Sequence, residues 1–352
     1  MSAASRRPDV TDRYAQTVGF VVGGVGLASA FLDWTPAPSL VAQVAGGLAA
    51  AATLAFAARR HGSGPGWLDY VATAAGGALA LAAAAGVLAL GGRLAAGPMV
   101  ALFAGLGAFA AGAAAVAGVD RDGVRDRERA TLGATVVSAA ALVFGGLLAA
   151  AAIGFVPAEP VFQWPTNTAV ASAGIGLAGV AFVRSFDGGI DVSVPGRRDL
   201  VVAGAGVAAI FALHLALNLV VTTFSLPQST HGLVETARDN PEILPPLAVV
   251  SLLFVGPGEE LLARNGVQKF LYGAYSRWSA VVVASFVFTA SHVLAYAGAA
   301  APGAVLVTLA RVFVVSLVLG VAYERTDDLF APVVVHGVYD AVQFGVAYLQ
   351  FS

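Results

Sequence analysis

Apolar residues in this chain come in blocks of about twenty, separated by short polar segments, and the blocks carry almost no charge. About 20 apolar residues in a helix are what it takes to cross the ~30 Å hydrocarbon core of a bilayer. Read this way, the pattern predicts eleven spans, at about 16–33, 40–58, 69–91, 98–118, 131–156, 167–184, 200–222, 244–263, 278–297, 303–323 and 329–350. Helices are the default because a backbone amide left unpaired in hydrocarbon costs several kcal/mol, and a helix pairs its own. Glycine and alanine dominate the third to sixth spans, and small side chains let helices approach closely. The expectation is an all-α, polytopic, multi-pass protein of the cell membrane, with the lipid bilayer as its first partner.

Loop charge predicts an orientation. Arg6, Arg7 and Arg13 precede the first span, Arg59 and Arg60 follow the second, and Arg121, Arg125, Arg127 and Arg129 follow the fourth. Arg184, Arg197 and Arg198 follow the sixth, Arg264, Lys269 and Arg277 the eighth, and Arg325 the tenth, whereas the opposite loops hold Arg93 and Arg238. Basic residues stay on the cytoplasmic side, so the N-terminus is expected inside and the C-terminus outside. The basic start, the apolar run from Thr17 and Ala28-Ser29-Ala30 also have the outline of a cleavable signal peptide. Such triplets are ordinary in alanine-rich helices, and the segment is expected to remain as the first span.

Composition agrees: 58% of residues are hydrophobic and 11% charged, against roughly 25% charged in a soluble domain. A net charge of −2 gives no footing for nucleic acid. The absence of cysteine removes disulfides, thiolate metal ligands and a cysteine nucleophile.

Chemistry-bearing residues divide the chain. Residues 1–199, about six spans, hold almost no ionisable group at membrane depth, and their role is not legible. Within 200–352, His214, Glu259, Glu260, His292, Arg311, His336 and Asp340 fall in or near spans. Ionisable groups in a bilayer are costly and usually face a bundle interior or a wet cavity, so one site is expected there. Glu259 and Glu260 follow Gly256-Pro257-Gly258 and precede Arg264. Proline should distort the helix just ahead of them. Helical neighbours point ~100° apart, so the two glutamates should serve different partners. Phe288 and His292, and likewise His336 and Asp340, are four apart and share a helix face. Each pair has a bland reading, a charged helix end or a histidine bonded to a neighbouring helix; His214 and Asn218 show the same spacing and read as structural.

Taken in order, E-E-L-L-A-R, F-T-A-S-H and H-G-V-Y-D resemble the E-E-x-x-x-R, F-x-x-x-H and H-x-x-x-N/D motifs of the CPBP family. That family unites CAAX prenyl endopeptidases with bacteriocin-processing and immunity-type membrane proteins. Arg264-Asn265-Gly266-Val267-Gln268 with Leu271, and Gly320 through Thr326, resemble its linking segments. The resemblance covers about 244–346. It implies an intramembrane endopeptidase that hydrolyses a peptide bond with activated water and no covalent nucleophile. Carried over residue by residue, it has Glu259 and His292 activate the water and His336 and Asp340 stabilise the oxyanion, with Glu260, Arg264 and Phe288 supporting. Asp340 stands where prenyl endopeptidases carry asparagine, and an ionised carboxylate accepts hydrogen bonds without donating them.

The implied substrate is a peptide or membrane protein, lipidated or not, and no cofactor is expected. Rival classes are a non-proteolytic binding or immunity protein on the same scaffold, a proton-coupled transporter, and a zinc hydrolase, since His and Glu are zinc ligands. One tension stands. Glu259 and His336 are expected near the cytoplasmic half, yet His292 lies about 20 Å along its helix from Arg277 at ~1.5 Å per residue.

Overall fold

The computed structural model describes residues 13–90, 95–298 and 300–352; Arg6, Arg7 and Arg93 of the orientation argument lie outside the described residues. The described residues are helical, with no strand among them, and divide into two compact units.

The first unit comprises residues up to 128 together with 300–306. Its helices are α1 (Tyr14–Ser29), α2 (Ser39–Arg60), α3 (Leu68–Leu88) and α4 (Ala96–Val116). Each packs on the next, and α4 returns to α1. Small residues make this possible: a side chain at Gly105 would lie 2.5 Å from the Ala80 amide nitrogen. The buried carboxylate Asp69 pairs with Arg59 at 2.9 Å.

The second unit holds residues 129–299 and 307–352. It takes in α5 (Arg121–Ile153) from Arg129 onward, α6 (Pro160–Ser185), α7 (Arg197–Thr223) and the short α8 (Gly232–Asp239). Next come α9 (Pro241–Leu271), α10 (Arg277–Ser291) and the one-turn α11 (Val293–Ala297). The unit ends with α12 (Pro302–Thr326) from Val307 onward and α13 (Phe330–Phe351). At its centre, α9 packs against α6 and α13, and α13 packs against α7.

Nine helices among the described residues are long and apolar enough to cross a membrane, against the eleven expected. The helices found at the other two places, α1 and α10, have 16 and 15 residues. After Ser29 the chain turns, and the Trp34 indole donates back to the Ser29 carbonyl at 2.8 Å. At the end of α10, His292 turns its ring back onto the last turn of its own helix.

The eighth span is the larger revision, because the polar run from Arg264 continues the helix to Leu271. Arg264, Asn265 and Gln268 are completely buried there, and the side chain of each has hydrogen-bond partners within the protein. The extension removes the depth tension for Glu259. Glu259 lies roughly 18 Å from the Leu271 end of its helix and His292 roughly 22 Å from Arg277, at ~1.5 Å per residue.

Candidate functional site

Proline at 257 has no amide to donate, and its ring would meet the carbonyl four residues back. The helix answers with a π-helical stretch, Ser251–Val255, directly ahead of Gly256, and a second, Leu261–Gln268, directly after the glutamates. Such wide turns inside a helix often mark functional sites. The flanking glycines permit backbone contact: a side chain at Gly258 would lie 2.2 Å from the Ser172 carbonyl oxygen of α6. One at Gly256 would lie 2.9 Å from the Val333 carbonyl oxygen of α13. The segment carrying both glutamates is thus clamped between two helices.

The adjacent glutamates serve different histidines. Glu259 Oε2 lies 3.8 Å from Nε2 of His292. Glu260 is fully buried, accepts from Arg264 Nε at 2.9 Å through Oε2, and has Oε1 at 2.7 Å from Nδ1 of His336. Arg264 also donates to the buried Ser316 hydroxyl at 2.8 Å, and its guanidinium lies 5.4 Å from the centre of the Phe288 ring. The other ring nitrogen of His336, Nε2, faces Asp340 Oδ2 at 3.5 Å. His336 is therefore held between two carboxylates, and both of its N–H directions point at acceptors.

His292 occupies the C-terminal end of α10, where carbonyls lack helical partners. Its Nδ1 lies 2.8 Å from the Phe288 carbonyl oxygen, which also accepts from the Ser291 hydroxyl. A carbonyl only accepts, so Nδ1 carries the proton and the lone pair of the neutral ring sits on Nε2, on the side of Glu259. The Phe288 ring lies tilted against His292 with centroids 4.5 Å apart and stands edge-on to His336 at 6.2 Å. The four-residue spacing thus supplies both the ring contact and the carbonyl that sets the tautomer.

Glu259 and His292 line a cavity of about 200 Å³ whose other walls include Ser138 and Leu142 of α5, Ile175 of α6, and Leu262 and Val287. His231 also lines it and was not singled out in the sequence, because it lies outside every predicted span. It caps α8, with Nδ1 accepting from the Leu233 amide at 3.1 Å. Burial holds His231 below the ordinary histidine range.

All seven predicted site residues gather in this region. His214 does not: it meets the Tyr339 hydroxyl at 2.9 Å and Gln343 at 3.1 Å. Arg311 joins that cluster, 3.4 Å from His214. Below the site, Asn265 pins the loop after α6 by donating to Gly189 and Asp191 and accepting from the Asp191 amide. Among the described residues, no three His, Asp, Glu or Cys side chains group as a metal site would require.

A family model described as type II CAAX prenyl endopeptidase Rce1-like matches residues 241–342, so the chain contains a Rce1-like CAAX-protease domain. That segment runs from the start of α9 into α13 and holds Glu259, Glu260, Arg264, Phe288, His292, His336 and Asp340, but not His231. No curated protein matches the chain, and no solved structure does.

Proposed function

We propose that this protein is a membrane-embedded endopeptidase of the CPBP family, cleaving a peptide bond with water activated between Glu259 and His292. The observation that carries this reading is the 3.8 Å gap between Glu259 Oε2 and His292 Nε2 on the wall of one cavity. Both atoms are hydrogen-bond acceptors once Glu259 is ionised and the His292 proton sits on Nδ1. A water molecule between them donates one hydrogen to each and keeps a lone pair for attack. Its oxygen adds to the scissile carbonyl carbon while its proton passes to the Glu259–His292 pair. That proton then goes to the departing amine, so peptide and water become a carboxylate and an amine, with no covalent intermediate.

Glu260, Arg264 and His336 support this centre. Their charges are neutralised within the bundle, and Phe288 fixes the His292 ring. Because Nε2 of His336 already faces Asp340, the pair reads better as an electrostatic prop than as a free oxyanion donor. The substrate is a peptide or membrane protein with its scissile bond at the cavity, and the chain lies with its N-terminus on the cytoplasmic side.

The test is cleavage by purified protein in detergent, after treatment with chelator, of membrane-anchored peptides with and without a prenylated cysteine. Chelator-resistant cleavage lost in Glu259→Gln and in His292→Ala, with unfolding transitions unchanged, supports the reading. Cleavage that disappears on stripping and returns with zinc moves the site to the metal class. No cleavage of any peptide would leave a binding or immunity role as the better account.

A further inference from the structure

An oxyanion formed at the Glu259–His292 centre needs a hydrogen-bond donor already in place, because donors aimed at developing charge supply a large part of catalysis. Besides the Ser138 hydroxyl of α5, the side chains around the cavity offer few. His292 spends its N–H on the Phe288 carbonyl, and the Ser291 hydroxyl donates to the same oxygen. His336 does not line the cavity, and its two nitrogens face Glu260 and Asp340.

His231 is placed differently. Its Nδ1 accepts from the Leu233 amide, an N–H that can only donate. The ring is therefore neutral with its proton on Nε2, the nitrogen remote from the cap. The ring stands edge-on to Tyr296, with centroids 5.5 Å apart. Two residues earlier, Ser229 ties the segment down, donating to the Tyr296 carbonyl at 2.5 Å and, through its amide, to Thr308 at 3.0 Å. On the other side, Leu233 and Ala237 of α8 are buried against Leu244 and Leu247. A histidine fixed from both directions, with one N–H uncommitted and a wall of the reaction cavity, has the attributes of a preorganised donor.

Resting on the endopeptidase reading above, we infer that His231 is a catalytic residue whose Nε2–H donates to the oxyanion of the tetrahedral intermediate. His231 lies outside the segment matched by the protease-family model. This chain thereby brings a donor to the site from the segment between α7 and α9.

The test uses the full chain and two peptides. One carries a farnesylated cysteine three residues before its C-terminus, and the other is the same peptide without the farnesyl group. Asparagine at 231 places its amide near the Nδ1 position, keeping the cap on α8 and losing the donor to the cavity. Glutamine reaches the Nε2 position, keeping a donor there. The expected result is kcat lowered by about 10²–10³-fold in His231→Asn with KM nearly unchanged, and partial recovery in His231→Gln. The reverse order, an active asparagine variant and an inactive glutamine variant, would assign His231 to capping alone and overturn the inference. Asparagine at half the wild-type rate or more would overturn it as well. Glu259→Gln in the same assay separates the two claims: its loss of cleavage beside an active His231→Asn sinks this inference alone. Retained cleavage in Glu259→Gln sinks the Glu259–His292 centre, and no cleavage by wild type sinks the endopeptidase reading; either takes this inference with it.

Discussion

Glu260 meets His336 across two helices at 2.7 Å, while its neighbour Glu259 turns to His292 on a third. Two identical side chains in succession thus do unlike work. Glu260 is wholly enclosed, with its charge answered by Arg264 and His336; Glu259 borders a cavity with a histidine lone pair opposite it. Only the second arrangement leaves room for a reacting molecule.

Removing one member of the enclosed pair should be costly. Arg264→Met leaves Glu260 with His336 as its remaining side-chain partner in a buried interior, and a loss of about 3–5 kcal/mol is expected. Adding Glu260→Gln to Arg264→Met should restore part of that loss, because the uncompensated charge is gone. Reversible unfolding in mixed micelles measures both. A single Arg264→Met variant as stable as wild type would contradict this account of the pair.

Backbone contact at Gly258 should tolerate no added atom. Gly258→Ala would put a methyl group 2.2 Å from the Ser172 carbonyl oxygen, and α6 would have to move. A destabilisation of about 1–3 kcal/mol is expected, as for overpacked cores, with cleavage reduced alongside it. Gly204→Ala, which meets nothing within 4 Å, is the control. It should be neutral or stabilising by up to ~1 kcal/mol through helix propensity. Equal effects from the two substitutions would count against close packing as the cause.

The loop after α6 is anchored by side chains from elsewhere in the chain, the buried Asn265 and Tyr323 among them. Asn265→Ala deletes bonds to Gly189 and to both backbone and side chain of Asp191, leaving Lys269 and Tyr323 to hold that carboxylate. Hydrogen exchange in residues 187–196 should accelerate while that of α9 stays slow. Unchanged exchange in the loop would show that Lys269 and Tyr323 suffice.

Orientation is open to direct measurement because the chain has no cysteine of its own. In intact cells, a membrane-impermeant maleimide should label Ser225→Cys, after α7, and spare Ser63→Cys, after α2. The arginine-rich loops face the cytoplasm in this reading. Labelling of Ser63→Cys with sparing of Ser225→Cys would invert the topology and the side from which substrate arrives.

Helical periodicity and hydropathy were enough to recognise the membrane class and to align residues four apart. Glu260 with Arg264, Phe288 with His292, and His336 with Asp340 are each set by one turn of one helix, so their spacing alone placed them together. The order of the three motifs likewise pointed to the segment that the family model matches. Other features depended on contacts between elements. The run from Arg264 to Gln268 falls outside the predicted span because Arg264, Asn265 and Gln268 are polar, and it stays in the helix because each of these three finds a partner on another element. The lengths of α1 and α10 are limited by turns that answer their last carbonyls, which overall hydropathy does not register. The partner of each glutamate was decided by the clamp of α6 and α13 on Gly256 and Gly258. His231 reached the cavity through a helix cap and a bonded serine some thirty residues before Glu259. Local sequence carries the helical period; which faces meet is settled by packing between segments distant in the chain.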